Sequence, residues 1–200
     1  DGILTVLEAM HAVGITRLVY SSSAAVYGTP PENPVEESSS LQPESPYGET
    51  KLAGEWLLRD VARAHGVRQV SLRYFNVVGS GGDGLYDASP HNLFPLVLRA
   101  LSAGEAPVVH GGDYPTPDGT CVRDYVHIRD LCDAHVAALE HLRKGGPSGA
   151  FNLGTGEGKS VREVVESVAR VTKRPVPVAL APKRAGDPAV LVAKVERAAR

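Results

Sequence analysis

The sequence predicts an α/β fold with a parallel, doubly wound sheet, because helix and strand patterns alternate along the first part of the chain. Apolar residues recur at helical spacing to about residue 12, and a β-run follows over residues 17–22. A second helical pattern covers residues 47–65 and ends at Gly66, and it leads into the apolar run 70–78. This order of strand, helix and strand is typical of parallel strands joined by a crossover helix.

The rest of the chain mixes further sheet elements with two loops, 79–92 and 111–120, that are rich in glycine, proline or aspartate. Periodicity predicts helices at 93–103, 129–143 and 160–171, strands at 107–110, 122–127 and 150–153, and an extended segment at 175–181. Residues 194–200 predict the start of another helix, and the chain opens inside a helical pattern without an initiating methionine. We therefore expect a piece of a longer protein.

Composition restricts the class of partner. The 200 residues are 42% hydrophobic and 22% charged, which is typical of a globular protein. A formal net charge of -2 with scattered basic residues favours neither a nucleic acid nor a membrane as partner. The apolar runs are shorter than the ~20 residues of a membrane-spanning helix, so we expect a cytoplasmic protein. Cys121 and Cys132 lack the spacing of metal ligands; we expect no metal, and we interpret both as buried packing residues.

The segment YGETK suggests a site of proton transfer. Tyr47 and Lys51 are four residues apart, so both side chains lie on one face of the predicted helix. That spacing alone is weak, because a tyrosine beside a surface lysine produces the same pattern. The preceding segment SSSAAVYG follows the first β-run, and ligands of open α/β sheets collect where strands end. This context favours a functional pair.

Proton transfer by Tyr47 requires neighbouring groups that stabilise its anion. A tyrosine with the reference pKa of about 10 is almost fully protonated at neutral pH, so it is a poor base unless its phenolate is stabilised. The ammonium group of Lys51 can stabilise that anion, and the hydroxyl of Ser23 can relay or steady the proton. Tyr47, Lys51 and Ser23 are therefore the predicted catalytic residues.

One known family carries similar segments in the same order: SSSAAVYG, SPYGETK, LRYFNVVG, PHNLFP, DYPTPDGTCVRDYVHIRDL, FNLGTGEGKSV and PKRAGDPA. The chain resembles the extended short-chain dehydrogenase/reductase family and, within it, the UDP-glucose 4-epimerases. The resemblance covers nearly the whole chain. YxxxK marks only the superfamily, whereas DYPTPDGTCVRDYVH is close to diagnostic for the epimerases. The resemblance implies a Rossmann-like doubly wound parallel sheet, incomplete in this chain, with a smaller α/β substrate-binding lobe.

The resemblance also implies NAD as a retained cofactor and a UDP-sugar as substrate. In the family, the tyrosine that matches Tyr47 removes the proton of the sugar 4-hydroxyl while the C4 hydride passes to bound NAD. The 4-keto sugar turns in the site before the hydride returns, which interconverts UDP-galactose and UDP-glucose. The residues implied for NAD are Ser21, Ser22, Ser23, Tyr47, Lys51, Tyr74 and Phe75.

A further set of residues is implied for the UDP-sugar. Arg123 and Arg184 match family positions that bind the diphosphate, and guanidinium groups clamp phosphate oxygens bidentately. Asp187 matches a carboxylate that binds ribose hydroxyls, and Leu191 stands where residue size affects whether N-acetylated sugars fit. His110, in the strand implied for uracil, replaces an aromatic ring of some relatives. The full set is Ser23, Tyr47, Phe75, Asn76, Asn92, Leu93, Val108, Val109, His110, Arg123, Arg184, Asp187 and Leu191.

One family feature is missing. Family members begin with a Gly-rich turn for the NAD phosphates, and the chain has no GxxGxxG before Ser23. Glycine-rich residues 79–84 follow a strand and lead into a loop, so they do not replace that turn. We expect residues 1–78 to be the C-terminal part of an NAD-binding Rossmann domain. Residues 79–200 would be mainly a UDP-sugar lobe, with residues of about 122–153 returning to the Rossmann sheet.

Other functions stay open at this point. An epimerase acting on another UDP-sugar would share the whole apparatus. A nucleotide-sugar 4,6-dehydratase would need an Asp-Glu pair just after the strand-end serine, where the chain has Ala24 and Ala25. A silent nucleotide-sugar binder is disfavoured by the presence of Ser23, Tyr47 and Lys51. The resemblance also implies a homodimer, because family members pair the two helices that match the opening helix and helix 47–65.

Overall fold

The computed structural model describes residues 2–199 and contains α-helices, short strands and one 3-10 helix, Ala24–Tyr27. The α-helices are α1 (Gly2–Ala12), α2 (Pro46–His65), α3 (Leu93–Ala103), α4 (Ile128–Arg143) and α5 (Val161–Thr172). The strands are β1 (Arg17–Ser21), β2 (Arg68–Tyr74), β3 (Asn76–Val78), β4 (Val108–His110), β5 (Val122–His127), β6 (Gly149–Leu153), β7 (Gly158–Ser160), β8 (Ala179–Ala181) and β9 (Val190–Leu191). The helices predicted before residue 194 are confirmed.

The first sheet is parallel and has the order β1-β2-β6. Its register places Val19 opposite Val70, and Val70 opposite Gly149. Helices α1 and α2 pack on one face through a cluster that contains Leu7, Met10, Leu58 and Val67. Helix α4 packs on the opposite face through a cluster that contains Val70, Leu72, Leu131, Ala138 and Leu142. Helices on both faces of a parallel sheet confirm the predicted doubly wound α/β fold.

The remaining strands form two smaller sheets. In the second sheet, β5 pairs in parallel with β3 and β9 and antiparallel with β7. The third sheet pairs β4 with β8 in parallel. Helices α3 and α5 pack on each other through Val97, Val165 and Val168, away from the first sheet.

Helix α2 has clear signals at both ends. Ser45 caps its start by accepting a hydrogen bond from the backbone N of Gly48, and Pro46 occupies the first turn, where a missing N–H costs nothing. Gly66 ends the helix in the left-handed region, with φ of 68°. These caps set where Tyr47 and Lys51 stand relative to the end of β1.

Three expectations differ from the structure. The apolar run 70–78 is two strands, because the chain leaves the first sheet at Phe75 and β3 pairs with β5 of the second sheet. The helix predicted at 194–200 is wrong over its described part, where residues 196–199 form a turn; Arg200 lies outside the described residues. Cys121 is buried as predicted, but Cys132 is exposed on the outer face of α4. Within residues 2–199, no helix is both long and apolar enough to cross a membrane.

Candidate active site

A cavity of about 1090 Å³ opens where β1 and β2 end. Strand ends of this kind are the usual ligand site of open α/β sheets. Most of the predicted site residues line it: Ser23, Tyr47, Tyr74, Phe75, Asn76, Asn92, Leu93, Arg123, Asp187 and Leu191. The structure therefore brings Ser23 and Tyr47 into one cavity with Arg123 and Asp187, which are distant from them in sequence.

Ser23 and Tyr47 reach the cavity from two elements in close contact. Ser23 caps the 3-10 helix by accepting a hydrogen bond from the backbone N of Ala25, at 3.2 Å. Gly48 lies where a Cβ atom would stand only 2.6 Å from the carbonyl oxygen of Ala25. The absence of a side chain at Gly48 thus lets the start of α2 approach the 3-10 helix. Tyr47 stays 53% exposed at the cavity wall.

Lys51 joins α2 to the end of β1. Its Nζ donates a hydrogen bond to the carbonyl oxygen of Ser21 at 2.9 Å. The same Nζ lies 5.6 Å from the ring centroid of Tyr47 and 5.6 Å from that of Tyr20. An ammonium group at this position is attracted to the ring and would stabilise a phenolate on it. Tyr47 and Lys51 therefore lie next to each other on one face of α2, as predicted.

The hydroxyl groups of Ser21 and Ser22 point away from the cavity. The Oγ of Ser21 lies 3.3 Å from Nε2 of His135, on the α4 face of the sheet. Ser22 is fully buried, and its Oγ donates to Oε1 of Glu55 on the opposite face. Of the three successive serines, Ser23 lines the cavity.

Arg123 is a firmly held cation of the cavity wall. It is 8% exposed, and its Nη1 donates to the carbonyl oxygens of Val122 at 2.9 Å and Pro188 at 2.7 Å. Its Nη2 lies 3.4 Å from Oδ1 of Asp187. A guanidinium held by backbone carbonyls presents its remaining donors in a fixed direction, which suits the recognition of an anion.

Asn92 stands at the start of α3, beside Leu93. Its amide does not cap the helix but donates to Oδ2 of Asp87 at 2.6 Å. This hydrogen bond, with a second from the backbone N of Ser89, lowers the pKa of Asp87. The loop 79–92 is thereby tied to the start of α3 at the cavity rim.

Several predicted residues lie off the cavity wall. Val108, Val109 and His110 form β4, whose partner is β8, and Val109 is buried. The Nδ1 of His110 lies 3.4 Å from the carbonyl oxygen of Pro182. Arg184 is exposed and directly precedes the lining residues Ala185–Pro188. Their binding roles stay predictions.

Three aromatic residues of the cavity wall, Tyr86, Phe94 and Tyr125, were not predicted from sequence. The ring of Tyr125 meets that of Phe94 edge-on, with centroids 5.8 Å apart. Burial raises the pKa of Tyr125 to about 12. Tyr125 stands two residues after Arg123 on β5, so strand alternation predicts that both face the same side. That signal was available in the sequence.

The comparisons with known proteins agree with this arrangement. Residues 1–154 match the NAD dependent epimerase/dehydratase family. The UDP-glucose 4-epimerase of Halalkalibacterium halodurans is 47% identical over 201 residues, an alignment that covers 98% of this chain and 60% of that protein.

Two solved structures are similar over nearly the whole chain. The Brucella ovis UDP-glucose 4-epimerase in complex with NAD has a TM-score of 0.91 and 45% identity, covering 99% of this chain and 62% of that one. The Bifidobacterium longum UDP-glucose 4-epimerase in complex with NAD+ and UDP has a TM-score of 0.88 and 38% identity, covering 98% of this chain and 60% of that one. The chain thus spans about 60% of the length of the curated relatives it matches. The chain belongs to the NAD dependent epimerase/dehydratase family.

Proposed function

We propose that the intact protein is an NAD-dependent UDP-glucose 4-epimerase, which interconverts UDP-galactose and UDP-glucose. The observation that carries the proposal is one cavity lined both by Ser23 and Tyr47 and by Arg123 and Asp187. The first pair supplies groups for proton transfer, and the second supplies a cation and a carboxylate for a nucleoside diphosphate. Relatives of 45% and 38% identity whose structures contain NAD, or NAD+ and UDP, support the same choice of ligands.

Tyr47 is the proposed general base. Its phenolate takes the proton of the sugar 4-hydroxyl, and the phenol returns it when C4 is reduced on the other face. Lys51, held by the Ser21 carbonyl oxygen at 2.9 Å, stabilises the phenolate by its charge. Ser23 donates to or accepts from the same hydroxyl group. Bound NAD supplies the acceptor and donor of the C4 hydride.

The residues at the strand ends fit a nicotinamide cofactor. Tyr74 and Phe75 give the cavity an aromatic wall beside Ser23 and Tyr47. The ammonium group of Lys51 carries three donors, and the carbonyl oxygen of Ser21 takes one, so a ribose hydroxyl can take another. We assign cofactor binding to these residues, with Ser21 and Ser22 contributing through their backbone.

The far end of the cavity is the proposed site of UDP. Arg123 would bind the diphosphate, Asp187 the ribose hydroxyls, and Asn92 and Leu93 the phosphates at the start of α3. Asn76 and Leu191 also line the cavity, and we assign them to the sugar. Val108, Val109, His110 and Arg184 are assigned to the uracil and diphosphate by the family resemblance.

The division into two parts, and the state of assembly, are also proposals. We assign residues 1–78 to an NAD-binding Rossmann domain and 79–200 mainly to a UDP-sugar lobe. We also assign residues of about 122–153 to the first sheet; the pairing of β6 with β2 and the packing of α4 support this for residues 128–153, whereas β5 pairs within the second sheet. Exposed apolar side chains on α1 (Leu4, Val6) and α2 (Trp56) support a homodimer through these helices. A cytoplasmic location is proposed because UDP-sugars and NAD are available there.

Proton NMR of UDP-galactose incubated with the full-length protein tests the proposal. We expect the anomeric signal of UDP-glucose to appear without accumulation of NADH. A new methyl signal would instead indicate 4,6-dehydration, and an unchanged spectrum would contradict the proposed substrate. Sedimentation that shows only monomer at micromolar concentration would contradict the homodimer.

A further inference from the structure

One face of β2 is polar although it is buried. Gln69, Ser71 and Arg73 alternate along the strand towards α2, and they are 7%, 1% and 4% exposed. Ser22, which is 0% exposed, continues this polar face at the end of β1. A sheet face covered by a helix is normally apolar, since burying polar groups costs free energy unless each is bonded.

The centre of this face is an ion pair between Arg73 and Glu55 of α2. The Nε of Arg73 lies 2.9 Å from Oε1 of Glu55 and 3.2 Å from Oε2, and Nη2 binds Oε2 as well. Glu55 itself is 8% exposed. Burial alone would lower the pKa of Arg73, but its hydrogen bonds to Glu55 and Tyr27 raise it above the usual value. The guanidinium of Arg73 therefore keeps its charge in this buried position.

This ion pair touches each segment that carries a proposed catalytic group. Glu55 lies four residues after Lys51 and eight after Tyr47, on the same side of α2. Its Oε1 accepts a hydrogen bond from the hydroxyl of Ser22. Ser22 lies between Ser21, whose carbonyl oxygen binds Lys51, and Ser23. Nη1 of Arg73 donates to the hydroxyl of Tyr27, the last residue of the 3-10 helix that Ser23 caps, at 3.0 Å.

We propose that Glu55 and Arg73 are positioning residues that hold Ser23 at a fixed place relative to Tyr47 and Lys51, acting through the hydroxyl of Ser22. The inference rests on the proposed function, because it concerns the geometry of that reaction. It assigns Ser22 a role different from the direct cofactor contact that the family resemblance implies.

Stability alone gives a poor account of the ion pair. A buried ion pair is often less stabilising than apolar side chains of the same volume, because both charges lose their hydration. What such a pair provides, when every donor and acceptor is bonded, is one defined arrangement of the segments that contribute to it. Tyr27 extends the arrangement, because its hydroxyl donates to Oδ1 of Asn152 on β6 at 2.7 Å.

The structure offers a matched pair of variants. Ser22 and Ser71 are both buried serines, and each donates one hydrogen bond to a side-chain oxygen, of Glu55 and Gln69 respectively. S22A breaks the link that runs through Ser22 and leaves the one through Tyr27, whereas S71A removes a similar hydrogen bond elsewhere on the same face. A purely structural role predicts equal effects.

The experiment compares kcat, KM, bound NAD, melting temperature and hydrogen exchange for full-length wild type, S22A and S71A. We expect both variants to lose similar thermal stability. Only S22A should lower kcat, by about tenfold to 100-fold, because small misplacements of reacting groups cost this much. Its KM for UDP-galactose and its NAD content should be unchanged, and amide exchange should accelerate in residues 22–28.

Three results would overturn the inference: equal kcat for the two variants, a kcat for S22A like that of wild type, or loss of NAD from S22A, which would indicate direct cofactor contact. If the wild type does not convert UDP-galactose, the proposed function fails. Hydrogen exchange alone then tests the positioning role. Faster exchange in residues 22–28 of S22A but not of S71A would still support the positioning role. Equal exchange in the two variants would refute it.

Discussion

Arg123 and Asp187 form an ion pair across the cavity wall, with Nη2 of the arginine 3.4 Å from Oδ1 of the aspartate. The pair joins β5 to the segment 185–188, and Nη1 of Arg123 adds a hydrogen bond to the carbonyl oxygen of Pro188 at 2.7 Å. Arg123 therefore holds the wall segment that contains Asp187 in place before a ligand binds. A ligand that arrives with a negative charge meets a guanidinium whose orientation is set in advance.

Replacement of Arg123 by lysine should weaken UDP binding even though the positive charge stays. A lysine cannot hold the carbonyl oxygens of Val122 and Pro188 and a phosphate at the same time, because it has no planar fork of donors. We expect the Kd of UDP to rise about tenfold to 100-fold, the usual effect of losing a hydrogen bond to a charged group. Isothermal titration calorimetry on the full-length protein measures it.

The control for this variant is Arg143→Lys. Arg143 is exposed on α4, where it forms an ion pair with Glu140 within the helix, and it lies away from the cavity. UDP should bind this variant as it binds wild type. Equal affinities for Arg123→Lys and Arg143→Lys would remove Arg123 from the UDP site.

Tyr47→Phe should abolish turnover while UDP binding stays nearly intact. The ring remains at the cavity wall, but the hydroxyl that exchanges the proton is gone. General acid–base groups contribute about 100-fold to 10,000-fold to a rate, so kcat should fall at least by the lower figure. Steady-state kinetics with UDP-galactose and calorimetry with UDP give the two values. A variant that retains a tenth of the wild-type rate would show that another group is the base.

Gly48→Ala tests the close approach of α2 to the 3-10 helix. The new Cβ would stand 2.6 Å from the carbonyl oxygen of Ala25, a backbone atom that cannot turn away. The start of α2 must then shift and carry Tyr47 away from Ser23. We expect a lower melting temperature together with a lower kcat.

The comparison for Gly48→Ala is Gly2→Ala in α1. Among the described residues, nothing lies within 4 Å of the Cβ that this change would add. Alanine is favoured over glycine in a helix and its methyl group meets no atom here, so this variant should be as stable as wild type or more so. If both variants have wild-type kcat and stability, the contact between Gly48 and Ala25 does not position the site.

The sequence predicted the local part of this site better than the long-range part. The relation of Tyr47 to Lys51 depends only on helical spacing, and the caps Ser45 and Gly66 are local as well, so the start and end of α2 were predictable. The positions of His110 and Arg184 depend on contacts between residues 110–113 and residues 182–183, which are far apart in sequence. Lys183 Nζ reaches the carbonyl oxygen of Asp113 at 3.0 Å across 70 residues, and no local pattern reveals such a contact.

Buried charge was the least predictable feature. Glu55 and Arg73 stand in a helix and a strand where a charged side chain normally faces solvent, and each gains its role only from the other. By contrast, Tyr125 could have been placed from Arg123 by strand alternation. The family resemblance implies a role for the arginine and none for the tyrosine, so Tyr125 was not predicted.

Alkaline pH should destabilise the protein in part through Tyr125. Tyrosine in an unfolded chain has a pKa of about 10, and burial raises the pKa of Tyr125 to about 12. Between these values the unfolded chain releases the proton while the folded protein keeps it. The free energy of unfolding therefore falls as pH rises from about 10 to about 12. A pKa difference of this size corresponds to at most about 3 kcal/mol at the upper limit.

The variant Tyr125→Phe isolates this contribution, because burial also raises the pKa of Tyr27 and the other tyrosines titrate in both proteins. Urea unfolding between pH 9 and pH 12, roughly the range in which tyrosine ionises, gives the free energy of unfolding of wild type and variant. The wild type should lose more stability than the variant over this range, while the difference between them stays constant below about pH 9. Parallel curves throughout would mean that Tyr125 is ionised as readily in the folded protein as in the unfolded chain, and that its ring does not lie in the buried wall beside Phe94.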